Sequence, residues 1–234
     1  MDTNPVRTYR VGELLGMARE RAVPVVRGIP DAALAAPTPC AEYDVRALVD
    51  HLFQVIVQFQ RLAAKEASDF GEAPEPVAGS PEWRERFARE ADRLVAAWSE
   101  PGAEDGTTGA MNMPARLVGS MALLDLTVHV WDLARATGQE YPGADEAVVA
   151  ELSGAVDELA PTARKMGVFG EPVPVAEGAS AFERLLGRTG RDPSWNTPAP
   201  ASRNTPAPAS RNAPAPAARN ATEPAVVPPG TVEG

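Results

Sequence analysis

Apolar residues recur every three or four positions along most of the chain, and no segment alternates as a strand would, so the pattern predicts helices. The first is expected over Val11 to Val26, with Leu14, Ala18, Ala22 and Val25 on one side and Pro24 kinking it or ending it early. Asp44 reads as the N-cap of a long second helix whose stripe is Val45, Leu48, Leu52, Val55, Phe59 and Leu62. Ser80-Pro81, an N-cap residue followed by a proline suited to a first turn, marks the start of a third. Its inward side is Trp83, Phe87, Ala91, Leu94 and Trp98, and Pro101-Gly102 stops it. Pro114 opens a fourth helix, striped by Leu117, Met121, Leu124, Val128 and Trp131 and closed by Gly138. A fifth is expected from Asp145 to Leu159. A short sixth begins at the Ser180–Glu183 capping box, with an irregular Val168–Val175 stretch before it packing across the bundle.

Four long amphipathic helices joined by modest connections predict an all-α antiparallel four-helix bundle with one or two extra C-terminal helices. The bundle domain is expected to span 1–195. Beyond it the composition changes. Nine of the 24 prolines fall in residues 196–234, where Asn196, Asn204, Asn212 and Asn220 mark an eight-residue repeat filled with Pro-Ala-Pro-Ala. Such sequence holds too few large apolar groups to offset the entropy of ordering, so a disordered tail is expected. Removing its three Arg and two Glu from the chain's 22 basic and 32 acidic residues leaves the domain a net charge of −11. So acidic a surface repels phosphate backbones and anionic lipid, which argues against nucleic acid and membrane as partners. One cysteine makes no internal disulfide, the N-terminus lacks the pattern of a signal peptide, and no run of about 18 apolar residues is evident. A soluble, cytoplasmic protein is expected.

The chain has two histidines. His51 borders the Leu48–Leu52–Val55 stripe of the second helix. On the fourth, Asp125, His129 and Asp132 stack at i, i+4 and i+7 beside the apolar arc. A carboxylate and an imidazole four apart, met by an imidazole from another helix, suit a divalent cation and leave coordination positions open, as a catalytic site does. Zinc, Fe(II) and Ni(II) all accept that set. Spacing alone leaves a second reading open, in which the histidines are hydrogen-bonded boundary residues and the Asp–His pair is an ordinary surface contact. Asp132 either orients a ligand histidine from behind or solvates the helix flank. Cys40 reads as a small packed residue, Trp131 as core, and Arg46 and Arg135 as surface residues with an outside claim to an acidic substrate.

Three stretches carry a resemblance. They are Pro37-Thr38-Pro39-Cys40-Ala41-Glu42-Tyr43-Asp44-Val45-Arg46-Ala47-Leu48-Val49-Asp50-His51-Leu52; Asp125-Leu126-Thr127-Val128-His129-Val130-Trp131-Asp132-Leu133-Ala134-Arg135-Ala136-Thr137-Gly138; and Phe182-Glu183-Arg184-Leu185-Leu186-Gly187-Arg188-Thr189-Gly190-Arg191-Asp192-Pro193. Together they resemble the actinobacterial DinB-like family of mycothiol-dependent metal-binding proteins typified by maleylpyruvate isomerase. The resemblance covers about residues 8–195 and implies a DinB-like bundle holding one divalent metal, zinc first, through His51, Asp125 and His129. Asp125 stands where the family often has Glu. Mycothiol is the implied thiol cosubstrate, acting on a small electrophile by thiol transfer or thiol-assisted isomerisation. A metal-dependent hydrolase and a non-catalytic metal or small-ligand bundle are the alternatives. Two-domain members carry a further domain after the bundle. Here that stretch reads as a short helical end and the repeat tail, so the expectation keeps the metal bundle and sets aside maleylpyruvate isomerisation itself.

Overall fold

In the computed structural model, which describes residues 8–68, 70 and 75–196, the elements are α1 (Val11–Arg27), a 3-10 turn (Asp31–Ala33), α2 (Val45–Ala63), α3 (Trp83–Ser99), β1 (Thr107–Thr108), β2 (Met113–Pro114), α4 (Ala115–Ala136), α5 (Glu146–Lys165) and α6 (Ala181–Arg188). The all-α expectation holds. The two strands are two residues each and pair antiparallel in the loop before α4, a ladder too short for alternation to announce it. The expected tail falls on 197–234 apart from Asn196, outside the described residues.

Helix α1 packs against α3 and α4, and α2 packs against the same two. Consecutive α1 and α2 therefore stand at opposite corners of the bundle, and α2 and α4 are neighbours. Helix α5 lies on α4 and α1, with α6 on α5. The predicted stripes of α1, α2 and α3 are buried throughout. Helix α4 differs: Leu117 and Met121 are only partly buried, while Val118, Leu123, Leu126, Val130 and Leu133 off the predicted arc are buried. Packing by α1, α2 and α5 on separate sides leaves α4 without a solvent face, and none of its residues is exposed. A helix apolar all round belongs in a core. Its length and mean hydropathy would also suit a membrane span, although Asp125 and Asp132 interrupt any apolar run, and 83% of that window is buried inside the protein.

Local chemistry sets the helix ends. The Asp44 carboxylate accepts the Ala47 N–H at 2.8 Å, and Ser180 and Glu183 form the reciprocal capping box of α6. At the end of α4, Gly138 is left-handed (φ 68°) and the Gln139 N–H reaches the Ala134 carbonyl, a Schellman stop. The expected Ser80 cap needs correction, and two other readings gain detail. Ser80 does not cap α3; residues 80–82 form a turn, and Glu82, itself left-handed (φ 57°), precedes the helix. The cause lies upstream, where the buried Asp50 carboxylate accepts the Val77 and Ala78 N–H groups at 2.7 Å each, fixing the chain's approach before Ser80 is reached. Pro24 and Pro161 both lie within helices, so α1 continues to Arg27 and α5 to Lys165. In each case the residue four back, Glu20 or Asp157, is exposed, so the carbonyl that proline leaves without a partner is open to water. Finally, the 168–175 stretch runs against α6: the Val173 N–H donates to the Gly187 carbonyl at 2.9 Å.

Candidate metal centre

The α2–α4 seam is where the chain's two imidazoles meet. His51 and His129 have ring centroids 5.1 Å apart and nearly perpendicular planes (86°). Asp125, one turn before His129, places a carboxylate oxygen 3.7 Å from His129 Nε2. One donor atom from each of His51, Asp125 and His129 can be chosen so that all three lie within 4.8 Å of one another. Donors about 2.0–2.2 Å from a shared cation are separated by less than about 4.4 Å. The gap is thus a matter of side-chain adjustment, and two imidazoles with one carboxylate fit zinc, Fe(II) or Ni(II).

Behind His129, the ring is fixed by its other nitrogen. Nδ1 lies 3.0 Å from Oδ2 of Asp132, a residue with no exposed surface. A carboxylate can only accept, so a neutral His129 ring bonded to Asp132 has its proton on Nδ1 and presents Nε2 toward Asp125. That is the tautomer a metal-binding histidine needs. Asp132 Oδ2 also accepts from Arg191 Nη2 at 3.2 Å. Arg191 is 8% exposed as a residue, and the sequence reading assigned it no role.

The loop before α2 closes the front. Thr38 Oγ1 lies 2.9 and 2.8 Å from the carbonyls of Cys40 and Tyr43, and the Tyr43 N–H returns to the Cys40 carbonyl. That turn lays the Tyr43 ring over His51 at 5.1 Å and 22°. Burial, with His129 and Arg191 nearby, pushes the His51 pKa down to about 3, so its imidazole is neutral at physiological pH. Burial also raises Asp125 above its ordinary range, against the pull of His129 and Arg191. Asp125 keeps a view to solvent, its side chain 28% exposed, and His51 is likewise only partly buried.

A second set, Cys40, His129 and Asp132, satisfies the same distance test. Its chemistry is wrong for a cation. Arg191 Nη2 already stands 3.4 Å from His129 Nδ1 and 3.2 Å from Asp132, and burial holds the Cys40 thiol up at about 11, far from a thiolate. Cys40 is a packed thiol.

The remaining candidates sit elsewhere. Trp131 is buried and, with Arg135, Gln139 and Tyr141, lines a separate cavity of about 250 Å³. Arg135 donates to the Trp195 carbonyl, and Arg46 donates to the Ala78 carbonyl. Both tie loops to helices.

A family model described as the mycothiol maleylpyruvate isomerase N-terminal domain matches residues 15–134, a span holding His51, Asp125, His129 and Asp132. Two uncharacterised proteins of Mycobacterium tuberculosis, from strains CDC 1551 and H37Rv, are each 29% identical over 164 residues, covering 68% of this chain and 86% of theirs. No solved structure matches significantly.

Proposed function

The chain belongs to the mycothiol maleylpyruvate isomerase N-terminal domain family, and from that premise we propose that it is a mononuclear divalent-metal enzyme that uses mycothiol against a small electrophile. The observation that supports this most is the meeting of His51, Asp125 and His129 within 4.8 Å at the α2–α4 seam. Zinc is the ion proposed; Fe(II) and Ni(II) suit the same donors. A divalent cation held by these three residues would supply Lewis acidity that favours the thiolate form of a bound thiol near neutral pH.

Each residue has a share in this. His51 and His129 would each offer an imidazole nitrogen, Asp125 would offer a carboxylate oxygen, and Asp132 holds the His129 ring so that Nε2 faces Asp125. Tyr43 covers His51 and keeps bulk water from that side. The partly exposed flank of Asp125 is where the thiol and its electrophile would enter. The thiolate would form a C–S bond at an electrophilic carbon, giving transfer where that carbon expels a leaving group with its electron pair. Isomerisation results where it adds across a conjugated double bond, the resulting single bond rotates, and the C–S bond breaks to release the same thiolate. A cytoplasmic location belongs to this proposal, since a low-molecular-weight thiol is kept reduced there. The acidic surface disfavours nucleic acid and anionic membranes as partners.

The test is elemental analysis of protein purified without added metal, beside the His51→Ala variant, with turnover of electrophiles measured with and without mycothiol. Near-stoichiometric metal that disappears in the variant is expected, together with thiol-dependent turnover. A metal-free parent, or metal retained by His51→Ala, would overturn the centre. Metal without thiol-dependent turnover would overturn the enzymatic half and leave the hydrolase or binding-module readings.

A further inference from the structure

We propose that Arg191, delivered from beyond α6 and outside the family-matched segment, is a positioning residue for the metal centre, acting on His129 through Asp132. The inference rests on the metal reading above and adds to it a component from the C-terminal part of the domain.

The delivery is built into the backbone. Helix α6 ends in a Schellman motif: the Gly190 N–H bonds the Gly187 carbonyl at 3.1 Å, and the Arg191 N–H bonds that of Leu186 at 2.9 Å. Gly190 is left-handed (φ 86°), and a Cβ there would lie 2.7–3.0 Å from the backbone of Gly170. Only glycine satisfies both the conformation and the close approach. The turn sends the next side chain into the bundle, where Nη1 donates to the Thr189 carbonyl at 3.1 Å and Nη2 to Asp132 Oδ2 at 3.2 Å. Asp132 is 59 residues away in sequence and completely buried.

Asp132 needs that partner. A buried carboxylate is costly unless paired and hydrogen-bonded, and one held by His129 alone would be free to swing about that single contact. With Arg191 attached, Oδ2 is pinned from two directions, and the His129 ring it holds keeps Nε2 aimed at Asp125 and His51. Contacts of this kind behind a ligand typically change metal affinity 10- to 100-fold.

Cobalt(II) is the probe, because its visible absorption reports ligand geometry apart from affinity. Co²⁺ titrations would be run on the parent, Arg191→Gln, Arg191→Lys, Gly190→Ala and Asp132→Asn, with helical circular dichroism to show that each is folded. Arg191→Gln should weaken Co²⁺ binding about 10- to 100-fold and alter the absorption bands. Arg191→Lys should recover part of both, and Gly190→Ala should resemble Arg191→Gln although it removes no donor. The double variant Arg191→Gln/Asp132→Asn, which leaves no buried charge unpaired, should bind no more weakly than Asp132→Asn alone. If Arg191→Gln does not fold, that double variant and Arg191→Lys carry the comparison. A folded Arg191→Gln with the parent's affinity and spectrum would overturn this inference while leaving the metal centre standing. A parent that binds no Co²⁺ would overturn both.

Discussion

Acidifying the metal-free protein should weaken it through His51. Its pKa is held down at about 3 in the folded chain, against 6.5 for an unburied imidazole. As pH falls below 6.5 the unfolded chain takes up a proton that the folded chain refuses, so stability drops with decreasing pH until the folded pKa is reached. At about 1.4 kcal/mol per pKa unit the full difference is about 5 kcal/mol, of which about 2 kcal/mol falls between pH 7 and pH 5. Asp125 works the other way: its raised pKa lets the folded state take a proton first, which offsets some of the loss at lower pH. Comparison with His51→Gln, which keeps a polar side chain of similar reach without a titrating group, isolates the histidine. The assay is urea unfolding of chelator-treated protein at both pH values. The parent should lose about 2 kcal/mol more than the variant on going from pH 7 to pH 5. Identical pH dependence would mean that His51 is well solvated or already paired, and that its readiness as a neutral ligand is not imposed by the fold.

Further outcomes follow from the packing and the donor sets. Gly119→Ala would set a Cβ 2.7 Å from Val11 and 2.9 Å from the Trp98 ring where three helices meet; thermal unfolding should show a loss of about 1–3 kcal/mol, as overpacked cores do. Asp50→Ala leaves the N–H groups of Val77 and Ala78 without their acceptor; at about 1–3 kcal/mol for each buried group left unpaired, chemical denaturation should register several kcal/mol, with the 75–80 loop the first segment to gain hydrogen exchange. Cys40→Ser should leave metal content unchanged and iodoacetamide should alkylate the parent slowly at pH 7, since the thiol is held at about 11; rapid labelling would contradict that assignment.

The bundle could be read in advance because it rests on local signals. Stripes at three-and-four spacing on α1, α2 and α3, the Asp44 cap and the Ser180–Glu183 box each declare themselves within a few residues. What escaped depends on distant partners. Whether Leu117 or Val118 of α4 turns inward is decided by how many helices surround it, and Pro24 and Pro161 are tolerated because Glu20 and Asp157 face solvent. Ser80 looked like a cap because nothing nearby showed that Asp50 already gripped Val77 and Ala78. At the site, Asp125, His129 and Asp132 were legible as a line on one helix, and His51 as its counterpart, because histidine is so scarce here. Arg191 was not. Its partner lies 59 residues upstream, and although the stretch holding it carries part of the resemblance, nothing local assigns Arg191 a role; Thr189-Gly190 shows only a helix stop that aims whatever follows it.

That line on α4 also decides where a cation should go. No residue of α4 is fully exposed, yet the helix keeps two carboxylates beside one histidine, Asp132 completely buried and Asp125 with 28% of its side chain exposed. The two ends of the line are balanced differently. At Asp132 the protein supplies its own cation, Arg191, and a hydrogen bond to His129 Nδ1. Asp125 instead faces His129 Nε2, 3.7 Å away, while burial raises the carboxyl's pKa. The open end therefore combines one partly exposed carboxylate with two imidazoles, and the closed end has a guanidinium where a metal would stand. In zinc-soaked crystals, anomalous scattering should place the ion among His51, Asp125 and His129, and Asp125→Asn should abolish the peak. Density instead among Cys40, His129 and Asp132 would require Arg191 to be displaced and Cys40 ionised, and would show that the balance of charge along α4 has been assigned to the wrong end.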